Sequence, residues 1–197
     1  MKQTKKYNTR ETLVRVGTEI LTEKGFSNTG IEEILKQVGV PKGSFYHYFK
    51  SKEAFGEAVI DNYAQYFSNK LDRLLTDQQH KPLQRLQNFI EEAKAGIQRY
   101  EFKRGCLVGN LGQELGAVND NYRNLLESVF LTWQHKVATC LREAQTDGDL
   151  PSQADCEQLA SFFWIGWEGA ILRTKLVRNT QPLDLFATQF FNLINIE

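Results

Sequence analysis

Residues 39–53 read Gly39-Val40-Pro41-Lys42-Gly43-Ser44-Phe45-Tyr46-His47-Tyr48-Phe49-Lys50-Ser51-Lys52-Glu53. Gly39 is suited to close one helix in the left-handed conformation. Pro41 is suited to open the next, because the missing N–H of a first-turn proline has no helical partner. A short helix over Pro41–Phe49 puts Phe45 and Phe49, four apart, on one face that belongs to a core with Ile34 and Val38. Lys42, Gly43, Ser44, Tyr46, His47 and Tyr48 are left for the outer surface and its margins. Three consecutive residues cannot share one helix face, so at least one of Tyr46, His47 and Tyr48 points outward. Hydroxyls can bond phosphates or base edges, and rings pack on thymine methyls. Lys42 and Lys52 are placed for phosphates. Gly43 costs about 1 kcal/mol inside a helix, which a close approach by another backbone would justify.

Upstream, Thr9 is a suitable N-cap for a first helix whose Leu13, Val16, Ile20 and Leu21 share a face, and Gly25 ends it. Thr29-Gly30-Ile31-Glu32 has the form of a capping box. Ile31, Ile34, Leu35 and Val38 line a second helix stopped by Gly39. Two short helices joined by a glycine turn match the helix-turn-helix pattern. Charge agrees: residues 1–55 hold ten Lys or Arg against six Asp or Glu, while the remainder holds 14 basic and 18 acidic residues. A basic head on an acidic body suits a polyanionic partner, although scattered surface lysines explain the charge equally well.

Downstream, Ser51 caps a long helix to about Leu75 with an aromatic and aliphatic stripe. Further helical windows cover about 82–100, 106–117, 121–146, 153–178 and 183–195. No strand-period segment, internal repeat or low-complexity run appears. The expected fold is all-α with about nine helices, a helix-turn-helix head over residues 1–50 and a helical effector-binding and dimerisation body over 51–197. Phe162, Phe163, Trp164 and Ile165 are consecutive and large, so their helix is buried on more than one side. A copy of the chain meeting Phe162, Phe163, Ile165, Phe186 and Phe190 would supply the second side, with Gly166 and Gly169 letting backbones approach. A wholly internal helix in a monomer is the alternative.

Of the 197 residues, 41% are hydrophobic and 24% charged, and no window approaches the roughly 18 apolar residues of a membrane span. The basic, polar start MKQTKKYNTRE is no secretory signal. A cytoplasmic protein is expected. Cys106, Cys140 and Cys156 fit neither a disulfide framework nor a zinc site. His47, His80 and His135 lie far apart, no phosphate loop or nucleophile motif occurs, and neither an enzyme nor a cofactor is indicated. Cys106 follows a glycine at an expected helix N-terminus, downstream of Lys103 and Arg104, a setting that favours a thiolate. A small buried hydrophobe is the other reading of it. Tyr63, Tyr66, Phe67, Phe89, Tyr100, Phe102, Trp133 and Trp164 either line an effector pocket or form plain core.

The chain resembles TetR-type transcriptional repressors, most strongly over residues 8–56. The resemblance is carried by Lys24-Gly25-Phe26, Thr29-Gly30-Ile31 and the run from Val40 to Glu53. It implies a third helix entering the DNA major groove, a palindromic operator bound by a homodimer, and release by a small-molecule effector. It adds Thr29 to Lys42, Ser44, Tyr46, His47, Tyr48 and Lys52 as candidate DNA contacts. Gly17 departs from the alanine usual there, implying a slightly looser first helix. Within the family the chain is most similar to the N-ethylmaleimide reductase repressor group, through Pro41–Gly56, Gly105-Cys106-Leu107 and the segment from Ala170 to Leu183. That resemblance implies sensing of electrophiles or oxidants at Cys106, with Lys175 as its partner.

Overall fold

A computed structural model describes residues 8–194; Lys2, Lys5 and Lys6 of the basic head lie outside the described residues. It holds nine α-helices and no strand among those residues. They are α1 (Thr9–Lys24), α2 (Ile31–Val38), α3 (Lys42–Tyr48), α4 (Lys52–Leu75), α5 (Pro82–Arg99), α6 (Leu107–Leu115), α7 (Asp120–Thr146), α8 (Cys156–Val177) and α9 (Gln181–Ile194). Packing divides the chain into two compact units. One runs to Gln65 and includes Leu107–Leu126; the other joins Tyr66–Cys106 to the chain from Glu127 onward.

In the first unit the helix ends follow local chemistry, with two departures. Asn8, not Thr9, caps α1: its side chain accepts from the Glu11 amide at 2.8 Å, and Glu11 accepts from the Asn8 amide at 3.2 Å. The Thr29–Glu32 box does not form. Gly30 is the N-cap of α2 without a side-chain bond, and the Thr29 hydroxyl donates to the Gly25 carbonyl at 2.7 Å. The end of α1 leaves carbonyls without helical partners, and Thr29 satisfies one of them. Gly25 and Gly39 take positive φ, 81° and 77°, as helix-ending glycines do. Ser51 accepts from the Ala54 amide at 3.1 Å and so caps α4.

Phe45, Phe49 and Phe55 form a fully enclosed triad with ring centroids 5.0–5.4 Å apart. Each such ring contributes roughly 2 kcal/mol by burial. Ile34 is buried with them, whereas Val38 is only half-buried. Gly17 has a packing role beyond any loosening of the helix. A Cβ there would lie 2.3 Å from Cζ of Phe55, so the missing methyl is what lets α1 seat against that ring. Helix α6 also belongs to this unit. Its Glu114 carboxylate accepts from the amides of Phe26 at 2.8 Å and Ser27 at 2.6 Å, tying α6 to the α1–α2 turn.

In the second unit the aromatics gather on one side of α8. Phe67, Phe89, Trp133 and Trp164 are joined by ring contacts of 4.5–6.3 Å, with Phe67 and Trp164 each meeting the other three. Phe130 and Trp167 complete the cluster. Phe163 and Phe190, nominated above for contact with a second copy, are instead core residues in edge-to-face contact at 5.1 Å. Gly166 likewise serves this chain's own packing, since a Cβ there would meet Phe186 at 2.4 Å. The reason is that α8 packs on α9 through this very seam. Phe162 and Ile165 point the other way and are 49% and 71% exposed.

Candidate DNA-contacting helix and thiol site

Helix α3 presents the array its spacing predicted. Phe45 is enclosed, and Tyr46, His47 and Tyr48 are all exposed, with Tyr46 at 51%. The rings brace one another edge to face: Phe45 with Tyr46 at 5.4 Å, His47 with Tyr48 at 4.8 Å. Lys42 is exposed beside them in a 3.4 Å ion pair with Glu32. Both partners are solvated, so the pair is weak and leaves Lys42 able to turn to a phosphate. Gly43 is exposed, and a Cβ there would meet nothing within 4 Å. No protein group therefore requires a glycine at this point. Ser44 is half-buried.

Two candidates do not join this surface. Thr29 is fully buried with its hydroxyl committed to Gly25. Lys52 lies over the Phe26 ring at 4.4 Å and donates to the Phe26 carbonyl at 2.6 Å. At the α1–α2 turn the Phe26 carbonyl, which also accepts from the Thr29 amide at 3.2 Å, and the Phe26 ring face together hold the ammonium inward. Lys50, outside the expected contacts, is exposed just after α3.

Cys106 is buried, as are Cys140 and Cys156. Of the cations upstream, Arg104 lies over the Tyr100 ring at 4.3 Å and Lys103 pairs with Glu101 at 2.5 Å. The thiol instead meets α8. Its hydrogen-bond partner is the carboxyl of Glu168, and the charge of half-buried Lys175 acts on it. Burial pushes the Glu168 carboxyl up to about 7, and the Cys106 contact draws it back only partly. Burial likewise lowers the Lys175 ammonium from its ordinary value, against the pull of Cys106. Gly105 makes the approach possible, since a Cβ there would lie 3.0 Å from both Ile171 Cγ2 and Lys175 Cδ. The segment before it is strained, with Glu101 and Phe102 in the left-handed region at φ 51° and 60°. By contrast, burial pushes the Cys140 thiol up to about 12 and raises that of Cys156.

Glu168 was legible only as an acidic residue in the apolar middle of α8, one turn after Trp164, and carried no motif. Of the nominated pocket aromatics, Phe67, Phe89, Trp133 and Trp164 come together. Tyr66 and Tyr100 are exposed, Tyr63 belongs to the other unit, and Phe102 sits in the strained segment. A groove of about 530 Å³ lies along α5 and α9, lined among others by Gln84, Ile90, Asp184 and Phe191. None of the nominated aromatics lines it. No group of three or more metal-ligating side chains occurs among the described residues. No described helix is long and apolar enough to cross a membrane.

Residues 13–59 match the family described as bacterial regulatory proteins, tetR family, and residues 82–190 match the tetracyclin repressor-like C-terminal domain. The transcriptional regulator AcuR of Cereibacter sphaeroides is 51% identical over 91% of this chain and 82% of its own length. A crystal structure of a regulatory protein TetR from Rhodobacter sphaeroides is 50% identical, with a TM-score of 0.89 over 92% of this chain and 96% of that one. The reduced form of Escherichia coli NemR is 28% identical, with a TM-score of 0.85 over 95% of this chain and 97% of that one. The resemblance to the NemR group is thus a real kinship, while AcuR is markedly more similar. With a helix-turn-helix head, an all-α body and matches to both family regions, the chain belongs to the TetR family of DNA-binding transcriptional regulators.

Proposed function

We propose that this protein is a cytoplasmic repressor that binds a palindromic operator as a homodimer and releases it when an electrophile or oxidant acts at Cys106. The observation that carries the sensing half is the enclosed Cys106 thiol set against Glu168 and Lys175. The DNA half rests on Lys42, Gly43, Ser44, Tyr46, His47 and Tyr48, the surface residues of α3. Pairing is supported by an uncovered apolar face: Phe162, Ile165, Leu172 and Leu176 on α8, beside Gly169, with Leu185 and Leu193 on α9. Two recognition helices then enter successive major grooves about 34–36 Å apart. An effector releases DNA only if it prefers the form whose spacing misses those grooves, and a few kcal/mol of preference suffice.

A non-covalent effector is the second reading, supported by the buried indole Nε1 of Trp164, which lacks a hydrogen-bond partner inside the aromatic cluster. Electrophoretic mobility shift on DNA from upstream of its own gene, with and without N-ethylmaleimide, separates the two. Wild type is expected to lose the operator on treatment and Cys106→Ser to keep it; equal loss in both would remove the thiol from the mechanism. Tyr46→Ala is expected to weaken untreated binding at least about tenfold, the worth of one or two base or phosphate contacts. Unchanged affinity would take α3 out of the interface.

A further inference from the structure

Glu168 is an unusual residue for the place it occupies. It stands on α8 one turn after Trp164, and although the residue keeps some exposure its carboxyl oxygen Oε1 is enclosed without a hydrogen-bond partner. Burying an acid in this way is costly unless it is neutralised or paired. Two more enclosed polar atoms of the same helix also lack partners, Trp164 Nε1 and Thr174 Oγ1. Trp164 and Thr174 are themselves almost wholly buried. The Glu168 carboxyl hydrogen-bonds the thiol of Cys106.

We propose that Glu168 is the proton acceptor for Cys106, taking the thiol proton as the sulfur attacks a soft carbon electrophile. The proposal rests on Cys106 being the sensing thiol. With an activated alkene such as a maleimide, the S–H proton passes to the Glu168 carboxylate while the sulfur lone pair forms the S–C bond to the alkene carbon. The alkene π pair moves onto the conjugated carbonyl as an enolate. The neighbouring carbon then takes the proton back from Glu168. Thiol and alkene become a thioether, nothing is oxidised or reduced, and the carboxylate is regenerated. The Cys106 thiol is hydrogen-bonded to the Glu168 carboxyl, the arrangement a general base needs, and burial raises that carboxyl to about 7. Lys175 complements it, because its charge favours the sulfur anion. On the elements beside α8, Lys94 of α5 pairs with Asp184 of α9 at 2.5 Å, and Lys136 of α7 with Asp72 of α4 at 2.5 Å.

The test is the rate of N-ethylmaleimide addition at Cys106, read by mass spectrometry of the peptide that contains it, between about pH 5.5 and 9. In wild type the rate should rise through an ionisation near 7 and then level. Glu168→Gln keeps the shape but cannot take a proton. It should lose that step and react at least about tenfold more slowly at pH 7, the lower end of what a general base supplies. Equal rates in the two proteins overturn the proposal. If circular dichroism shows that Glu168→Gln does not fold, the wild-type profile alone decides, and a rise confined to pH above about 8, where an unassisted thiol ionises, overturns it. Operator release keeps the two proposals apart. Wild type that leaves DNA on alkylation while Glu168→Gln is alkylated equally fast removes Glu168 and leaves Cys106 as the sensor. Wild type that shows the step near 7 yet holds its operator supports Glu168 and overturns Cys106 as the switch.

Discussion

Gly17 has no room for a methyl group, and that single fact reverses the usual ranking of glycine and alanine in a helix. Alanine there would gain about 1 kcal/mol of helix propensity, but its Cβ would sit 2.3 Å from Phe55 Cζ. Overpacking of this kind costs about 1–3 kcal/mol. Gly17→Ala is therefore expected to lower the thermal midpoint, and Gly17→Ala with Phe55→Leu to recover part of the loss. A higher midpoint in the single variant would show that the ring can move aside. Glu114 makes a pH-dependent contribution at the same scale. Burial raises its carboxyl, but the Ser27 and Phe26 hydrogen bonds and nearby Lys52 outweigh this and hold it below its ordinary 4.5. A depressed carboxyl stabilises the fold above its unfolded value and loses that contribution as pH falls through the folded one. Denaturant melts of wild type and Glu114→Gln should differ by about 1 kcal/mol at pH 7. The gap should close as pH falls below 4.5. A gap independent of pH would assign the effect to shape alone.

Among the elements, the turn between α4 and α5 shows how a buried cation can organise a connection. Arg85 is 4% exposed. It donates to the carbonyls of His80 at 2.8 Å and Leu75 at 3.2 Å, to Gln78 at 3.3 Å, and to the Glu143 carboxylate of α7 at 2.6 Å. The sequence marks this stretch only by its turn composition. Arg85→Leu removes every one of those donors and is expected to destabilise the protein by about 3 kcal/mol, measured by urea unfolding. A loss under about 1 kcal/mol would mean that water replaces the guanidinium. Helix α3 is the opposite case, since its Tyr46 and Tyr48 rings remain exposed. Its alternation of enclosed Phe45 and Phe49 with exposed Tyr46, His47 and Tyr48 follows from helical periodicity alone.

For the whole molecule, the unpaired face of α8 and α9 is the feature that a single chain cannot explain. Ile165 is 71% exposed in a helix whose opposite side is core. Ile165→Glu places a charge at the centre of that face without touching the seam between α8 and α9. Sedimentation should then report a monomer, and operator affinity should fall because one recognition helix no longer positions the other. A persisting dimer would locate the interface elsewhere.

The helix count, the ends of most helices and the family of the head follow from signals that act within a few residues: periodicity, glycine stops, the proline start and the Ser51 cap. Those need no knowledge of the rest of the chain. The sites depend on residues distant in sequence, and there the local reading failed wherever a neighbour outbid it. Thr29 turned from its own helix to the carbonyl of Gly25, and Lys52 turned from solvent to Phe26. Phe163, Phe190 and Gly166 went to the internal seam, leaving Phe162 and Ile165 outside. The meeting of Cys106 with Glu168 had no local signature at all. A hydrogen bond between groups from two separate segments is written only in the packing that brings α8 against the segment carrying Cys106.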